Sequence, residues 1–290
     1  MTTSTTRPAR ASGTFAIGGD LPVTRLGYGA MRLSGPGIWE LPADPENAVA
    51  VLRRAVELGV TFIDTADCYG PYVSEDLIRR ALHPYRDVTI ATKGGVVRPG
   101  PGVWVPVGRP EYLRQCVEMS LRRLGLDCID LYQLHTIDPH VPLADQLGEL
   151  AALRDEGKIR HIGLSEVTVA EIEASRAVTP IASVQNLYNL TERRSEEVLG
   201  YCDRESICFI PWFPLGKGVL ARAEGGLVTL AEALGATPSQ VALAWLLQRS
   251  PVVVPIPGTT TLDHLAENCG AAAVRLNDEQ LAELTNATPA

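Results

Sequence analysis

The chain has 290 residues, 46% hydrophobic and 21% charged, enough to bury the core of one large α/β barrel or of two ordinary domains. Twenty-six Lys and Arg against 34 Asp and Glu leave a formal charge of −8 with no dense basic run, which argues against nucleic acid and membrane as partners. No apolar run approaches the ~18 residues of a membrane span. The cysteines at 68, 116, 128, 202, 208 and 269 show neither a C-x-x-C pair nor zinc spacing, so they are read as reduced thiols of a cytoplasmic protein, and no metal is expected because Lys93 would repel a cation among the Asp and His candidates.

Met1 to Ser12, rich in Thr and Ala and without a signal peptide's apolar stretch, reads as a disordered tail ahead of a single domain over residues 13–290. Gly13 to Arg25 reads as a β-hairpin turning at Gly18-Gly19-Asp20. A beat then begins, in which a short apolar run precedes a segment of helical period. The runs are Leu26 to Gly29, Val60 to Asp64, Val88 to Lys93, Cys128 to His135, Ile159 to Ser165, Ile181 to Gln185, Ile207 to Trp212 and Val252 to Ile256. Asp44 and Pro45 predict the start of the first helix, which Gly59 stops; others are predicted over 74–82, 109–124, 143–156, 238–249 and 261–269. Eight such alternations predict a (β/α)8 TIM barrel with an N-terminal hairpin. The rival, an open doubly wound sheet, would want a G-x-G-x-x-G turn, which is absent.

Barrel enzymes work at the carboxyl ends of their strands, so the residue closing each run is the one to inspect. These are Asp64, Lys93, His135, Ser165, Gln185 and Trp212. Each alone could be a bland loop or capping residue; five polar ends in succession weaken that view. A lysine at the end of a central strand needs an anion beside it, and Asp64 is its natural partner. Tyr69, close behind Asp64, then becomes a phenol whose pKa a nearby ammonium would lower, fit to give or take a proton, with His135 able to steer a carbonyl oxygen.

The segments Phe62-Ile-Asp-Thr-Ala-Asp-Cys-Tyr-Gly70, Ala91-Thr-Lys-Gly94, Asp130-Leu-Tyr-Gln-Leu-His135, Ile162-Gly-Leu-Ser165, Val184-Gln-Asn-Leu-Tyr-Asn189 and Pro255-Ile-Pro-Gly-Thr259, in this order, resemble those of the aldo-keto reductase family. The resemblance covers nearly the whole chain. It implies a catalytic tetrad of Asp64, Tyr69, Lys93 and His135, in which Tyr69 protonates a small aldehyde or ketone that receives hydride from a nicotinamide cofactor. It also implies that Ser165 and Gln185 hold the nicotinamide carboxamide and that Trp212 stacks on the ring. Pyrophosphate contacts would come from Pro214, Leu215, Gly216 and Lys217, and the adenosine end would rest on Gly258, Thr259, Thr260, His264, Glu267 and Asn268. Relatives of this kind are mostly monomers.

Two positions depart from the common pattern. Glu166 stands where many members have Asn; a carboxylate could accept from the carboxamide amine, and its charge would favour oxidised nicotinamide. Gly258, Thr260, Thr261 and His264 stand where NADP-preferring members place Lys or Arg, so NADP(H) is expected as the family default with NAD(H) close behind. Tyr28, Met31, Trp39 and Trp104 are expected to wall the substrate pocket, with the Gly- and Pro-rich loop from Gly94 to Pro110 as a lid. The run Gly35-Pro-Gly-Ile-Trp39 is similar to that of bacterial members acting on pyridoxal. A nicotinamide-nucleotide sensor with little turnover, and a lyase using Lys93 as a Schiff-base amine, are the alternatives.

Overall fold

A computed structural model describes residues 7–222 and 225–286, apart from the side chain of Lys217. Strands β1 (Thr14–Ile17) and β2 (Leu21–Thr24) pair antiparallel as the expected hairpin. Seven strands then pair in parallel and in sequence: β3 (Tyr28–Gly29), β4 (Phe62–Asp64), β5 (Thr89–Gly94), β8 (Ile129–Leu134), β9 (Ile159–Ser165), β10 (Ser183–Gln185) and β11 (Cys208–Phe209). Between β5 and β8, the short strands β6 (Val96–Val97) and β7 (Val105–Pro106) form a second hairpin inside the loop expected to be a lid.

The eighth apolar run is not assigned as a strand, but it closes the ring. Phe209 N donates to Val252 O and Val254 N to Phe209 O on one side; Gly27 N donates to Pro255 O on the other. Pro255 and Pro257 lack amide hydrogens, so a regular ladder cannot form there. The close approach is built around glycine: a Cβ at Gly29 would sit 2.6 Å from Ile256 O.

Helices α1 (Pro45–Glu57), α2 (Val73–Leu82), α3 (Pro110–Leu124), α4 (Leu143–Asp155), α5 (Val169–Arg176) and α6 (Glu196–Glu205) cover the outer faces of the strands, followed by α7 (Gly226–Ala233), α8 (Pro238–Arg249), α9 (Leu262–Gly270) and α10 (Asp278–Asn286). The first helix starts as read: Asp44 Oδ1 accepts from Asn47 N at 2.9 Å, with Pro45 in the first turn. Its apolar stripe, Val49, Val51, Leu52 and Ala55, packs on Ile63 and Ile90 of the sheet. Among the described residues no helix is long and apolar enough to cross a membrane.

Strand alternation divides the barrel interior into tiers. Phe62, Ala91, Leu131, Cys208, Val254 and Ile256 form an apolar lower tier, and Ile17, Leu21 and Val23 of the hairpin plug it from below. Two residues further along β4, β5, β8 and β10 the inward positions become Asp64, Lys93, Gln133 and Gln185, all buried. The plug keeps water from the lower end, so the polar tier opens only at the carboxyl ends.

The tail expected through Ser12 needs correction. Pro8–Ser12 forms a 3-10 turn with Ala9 fully buried, Ala9 N bonded to Leu58 O, and Ser12 Oγ accepting from Leu26 N. Composition suggested disorder, but alanine is small enough to seat in the outer core beneath α1 and the turn after α9. Residues 1–6 of that tail lie outside the described part. Ala9→Asp would bury an unpaired charge at this seat, and a stability loss of about 3 kcal/mol or more is expected as a lower urea midpoint; an unchanged midpoint would mean the segment does not dock.

Candidate active site

Lys93, fully buried at the end of β5, places Nζ 2.7 Å from Asp64 Oδ2 and 2.8 Å from Thr65 O. Desolvating such a pair costs several kcal/mol per ion, and only dense hydrogen bonding offsets it. That bonding is present. Asp64 Oδ1 accepts from Gln133 Nε2 at 3.0 Å and Gln185 Nε2 at 2.9 Å, and the third proton of Lys93 reaches Tyr69 Oη at 3.4 Å. The ammonium thus has three acceptors, one of them the Asp64 carboxylate, and all three of its protons are engaged.

Tyr69 sits on the turn between β4 and α2, anchored by Tyr69 N to Ala66 O and Ser74 N to Tyr69 O. Its expected electrostatics are reversed. Burial, followed by the negative charge of Asp64, pushes the phenol pKa well above its ordinary value, so without cofactor Tyr69 is a fully protonated donor. His135 lies edge-on to the Tyr69 ring, with centroids 5.8 Å apart. Burial and then the positive charges of Lys93 and Arg98 hold its imidazole neutral. Its Nδ1 lies 3.3 Å from Cys68 Sγ, and burial keeps that thiol protonated. A thiol donating to Nδ1 leaves Nε2 as the N–H.

Ser165 and Gln185, both buried, stand opposite each other in the β9–β10 register as the resemblance implies, although Gln185 already spends one amide proton on Asp64. Glu166 follows in the left-handed region, φ 56°, which turns its side chain across the strand ends. There it accepts from Trp212 Nε1 at 2.5 Å, Leu187 N at 2.7 Å and Arg194 Nη2 at 3.1 Å. Three donors thus claim the carboxylate proposed to meet the carboxamide, and it acts as a latch on Trp212. Arg194 also offsets the charge expected to favour oxidised nicotinamide.

Beyond Trp212, Pro214 is buried, Leu215 packs on the core, and Gly216 opens a short 3-10 turn. The Lys217 side chain lies outside the described residues. At the far end, Gly258 is tight against the barrel, since a Cβ there would meet Gly29 O at 2.5 Å. Thr259 Oγ accepts from Thr261 N, Asn47 Nδ2 donates to Thr260 O, and Thr261 caps α9 by accepting from His264 N. A capped helix start suits a phosphate. Glu267 Oε1 accepts from Thr237 Oγ, tying α9 to α8, and Asn268 is buried beside it.

Of the expected pocket walls, Met31 packs against the cluster containing Tyr69 and Cys68, and Trp39 and Trp104 flank the mouth. Tyr28 is a correction. Strand alternation turns it outward, fully buried beneath α1, with Oη donating to Thr259 O at 2.6 Å. It supports the adenosine-side turn instead of lining the pocket.

Gln133, Cys68, Arg98, Arg194 and Arg32 were missed from sequence. Gln133 was recoverable, because it lies two residues before His135 and therefore on the same strand face. The stem of Arg32 packs beside Gly258, its Cγ 3.7 Å from where a Cβ would stand, bringing a cationic side chain to a turn read as lacking one. Nothing local marked either Arg32 or Arg98.

The aldo/keto reductase family model matches residues 25–288. An uncharacterized oxidoreductase of Schizosaccharomyces pombe is 54% identical over 95% of this chain and 90% of its own. The pyridoxine 4-dehydrogenase of Escherichia coli is 43% identical over 94% and 98%. Among solved structures, an aldo-keto reductase from Klebsiella pneumoniae in complex with NADPH superposes with a TM-score of 0.82 at 28% identity, covering 95% of each chain. The glycerol dehydrogenase of Gluconobacter oxydans does so with 0.87 at 27%, covering 94% of each.

The latch is testable on its own. Glu166→Ala should weaken nicotinamide-nucleotide binding by about tenfold, the order of one charge-assisted hydrogen bond, as read by quenching of tryptophan fluorescence. Glu166→Gln, which still accepts from the indole, should stay within about threefold of wild type. Equal affinities for all three proteins would show that Trp212 does not depend on Glu166.

Proposed function

Since the chain belongs to the aldo/keto reductase family, we propose that its substrate is a planar aromatic aldehyde of the pyridoxal kind, reduced to the alcohol with NADP(H). The carrying observation is the buried relay from Asp64 through Lys93 to the Tyr69 hydroxyl, beside a neutral His135. The pyridoxine 4-dehydrogenase relative and the tryptophans at the mouth support the substrate class. The NADPH-bound Klebsiella relative and Arg32 beside the adenosine-side turn support NADP(H) over NAD(H).

NADP(H), when bound, supplies a hydride to the carbonyl carbon or takes one back. Ser165 and Gln185 would hold its carboxamide, Trp212 its ring, Pro214 to Lys217 its pyrophosphate, and Gly258 to Thr260 with His264, Glu267 and Asn268 its adenosine end. The buried polar pair at the end of β9 and β10 and the capped start of α9 fit such a group.

Tyr69 Oη gives its proton to the carbonyl oxygen as that oxygen becomes an alcohol. Lys93 stabilises the phenolate left behind, and Asp64, held by Gln133 and Gln185, keeps Lys93 in place. His135 donates through Nε2 to the same oxygen and orients it. An assembled proton relay of this kind favours turnover over a sensor role. The protein is further read as a cytoplasmic monomer of one domain, in keeping with six free cysteines, and a single 31.2 kDa species in light scattering is expected.

Absorbance at 340 nm with NADPH, NADH and an aldehyde panel tests the proposal. Tyr69→Phe should lower kcat by roughly 10³-fold while nucleotide affinity holds. Binding without turnover across the panel would favour the sensor.

The pH profile follows from the same groups. Reduction needs Tyr69 protonated, and its pKa is raised above the ordinary phenol value, so kcat should not fall between pH 6 and about 9 on its account. His135 must be neutral, and its lowered pKa keeps it so over that range. A basic limb with a midpoint near 7 would contradict this assignment.

A further inference from the structure

Arg98 lies at the start of the lid, just after β6, and nothing in the reaction as derived so far uses it. It is 9% exposed, and each of its hydrogen bonds runs to a backbone carbonyl. Nε donates to Val103 O at 2.9 Å, Nη1 to Ile38 O at 3.0 Å and Cys68 O at 3.2 Å, and Nη2 to Gly37 O at 3.0 Å. One planar fork thereby joins three segments far apart in sequence: the loop after β3, the turn that carries Tyr69, and the lid. Its face lies 3.6 Å from the ring centroid of Trp104 and 5.6 Å from that of Trp39. Trp104 in turn stands edge-on to Tyr69 and to His135, at 6.2 Å from each.

Trp104 is 38% exposed, so packing alone does not fix it. Cation–π contact with a guanidinium that is itself held by four carbonyls does. Lysine could not reproduce this, because its single ammonium cannot bridge three segments while lying flat on an indole.

We propose that Arg98 is a positioning and specificity-determining residue, a clamp that holds Trp39 and Trp104 as walls of a slot over Tyr69 and His135 and so selects planar aromatic aldehydes over small aliphatic ones. The proposal rests on the carbonyl-reductase assignment above. The positive charge of Arg98 also opposes protonation of His135, so the residue that shapes the slot helps hold the imidazole neutral.

The test compares wild type, Arg98→Met, Arg98→Lys, Trp104→Ala and the double variant Arg98→Met/Trp104→Ala, with pyridoxal and propanal as substrates and NADPH as reductant. Arg98→Met should raise KM for pyridoxal at least tenfold and KM for propanal less than threefold, with NADPH affinity unchanged. Arg98→Lys should follow it in direction. The double variant should lose less than the sum of the two single losses, because Arg98→Met and Trp104→Ala both dismantle the Trp104 wall. Equal KM changes for both aldehydes, or fully additive losses, would overturn the clamp.

Amide exchange gives a readout independent of turnover: residues 96–106 should exchange at least tenfold faster in Arg98→Met, or in Arg98→Lys should the methionine variant not fold. Unchanged exchange there would overturn the clamp even where the enzyme is active. A wild type that turns over no aldehyde would overturn the reductase assignment instead, leaving the exchange result to decide on the clamp.

Discussion

The constraint on which the site depends is the ion pair of Asp64 and Lys93 inside the barrel. Two charges this deeply buried survive only where their remaining hydrogen-bonding capacity is met. Lys93 spends its three protons on Asp64, Thr65 O and Tyr69, and Asp64 takes two further bonds from Gln133 and Gln185. The pair therefore specifies the positions of four neighbours on β8, β10 and the turn after β4. The arrangement that makes the charges tolerable is the one that fixes the Tyr69 hydroxyl beside the Lys93 ammonium.

The rest of the fold works to keep that pair dry on every side but one. The hairpin plugs the lower end with Ile17, Leu21 and Val23, and the apolar tier of Phe62, Ala91 and Leu131 separates the plug from the charges. Irregular backbone at 252–257 completes the ring where prolines preclude a regular strand. The open side is then governed by aromatics, each held by a charged partner: Trp212 by Glu166, and Trp104 by Arg98. Both tryptophans are partly exposed and held by a charged side chain, one through a hydrogen bond and the other through a cation–π contact, a way of placing apolar walls at a wet mouth.

Several errors in the sequence reading share one cause. Glu166 looked like a ligand for the carboxamide because it stands where many family members have Asn, yet its left-handed backbone turns it to Trp212 and Arg194. Tyr28 was placed in the pocket as part of the loop after the first strand, yet it lies within β3 and the pleat points it outward, under α1. Tyr69 was assigned a lowered pKa from one neighbour, Lys93, whereas burial and then the negative charge of Asp64 push it up. In each case the residue type was right and the surroundings were unknown.

What the sequence determined by itself was the alternation of strand and helix and the chemistry closing each strand, with Asp64, Tyr69, Lys93 and His135 marked as candidates for proton chemistry and read as a tetrad through the resemblance to the aldo-keto reductase family. These follow from local rules: side chains alternate along a strand, caps and prolines start helices, and a buried lysine requires an anion. Tertiary structure alone decided which way Glu166 and Tyr28 face, that Pro8–Ser12 docks, and that Arg98 binds three loops into one wall. Those outcomes rest on contacts between segments tens of residues apart, and their strength depends on desolvation and geometry that exist only once the barrel has closed.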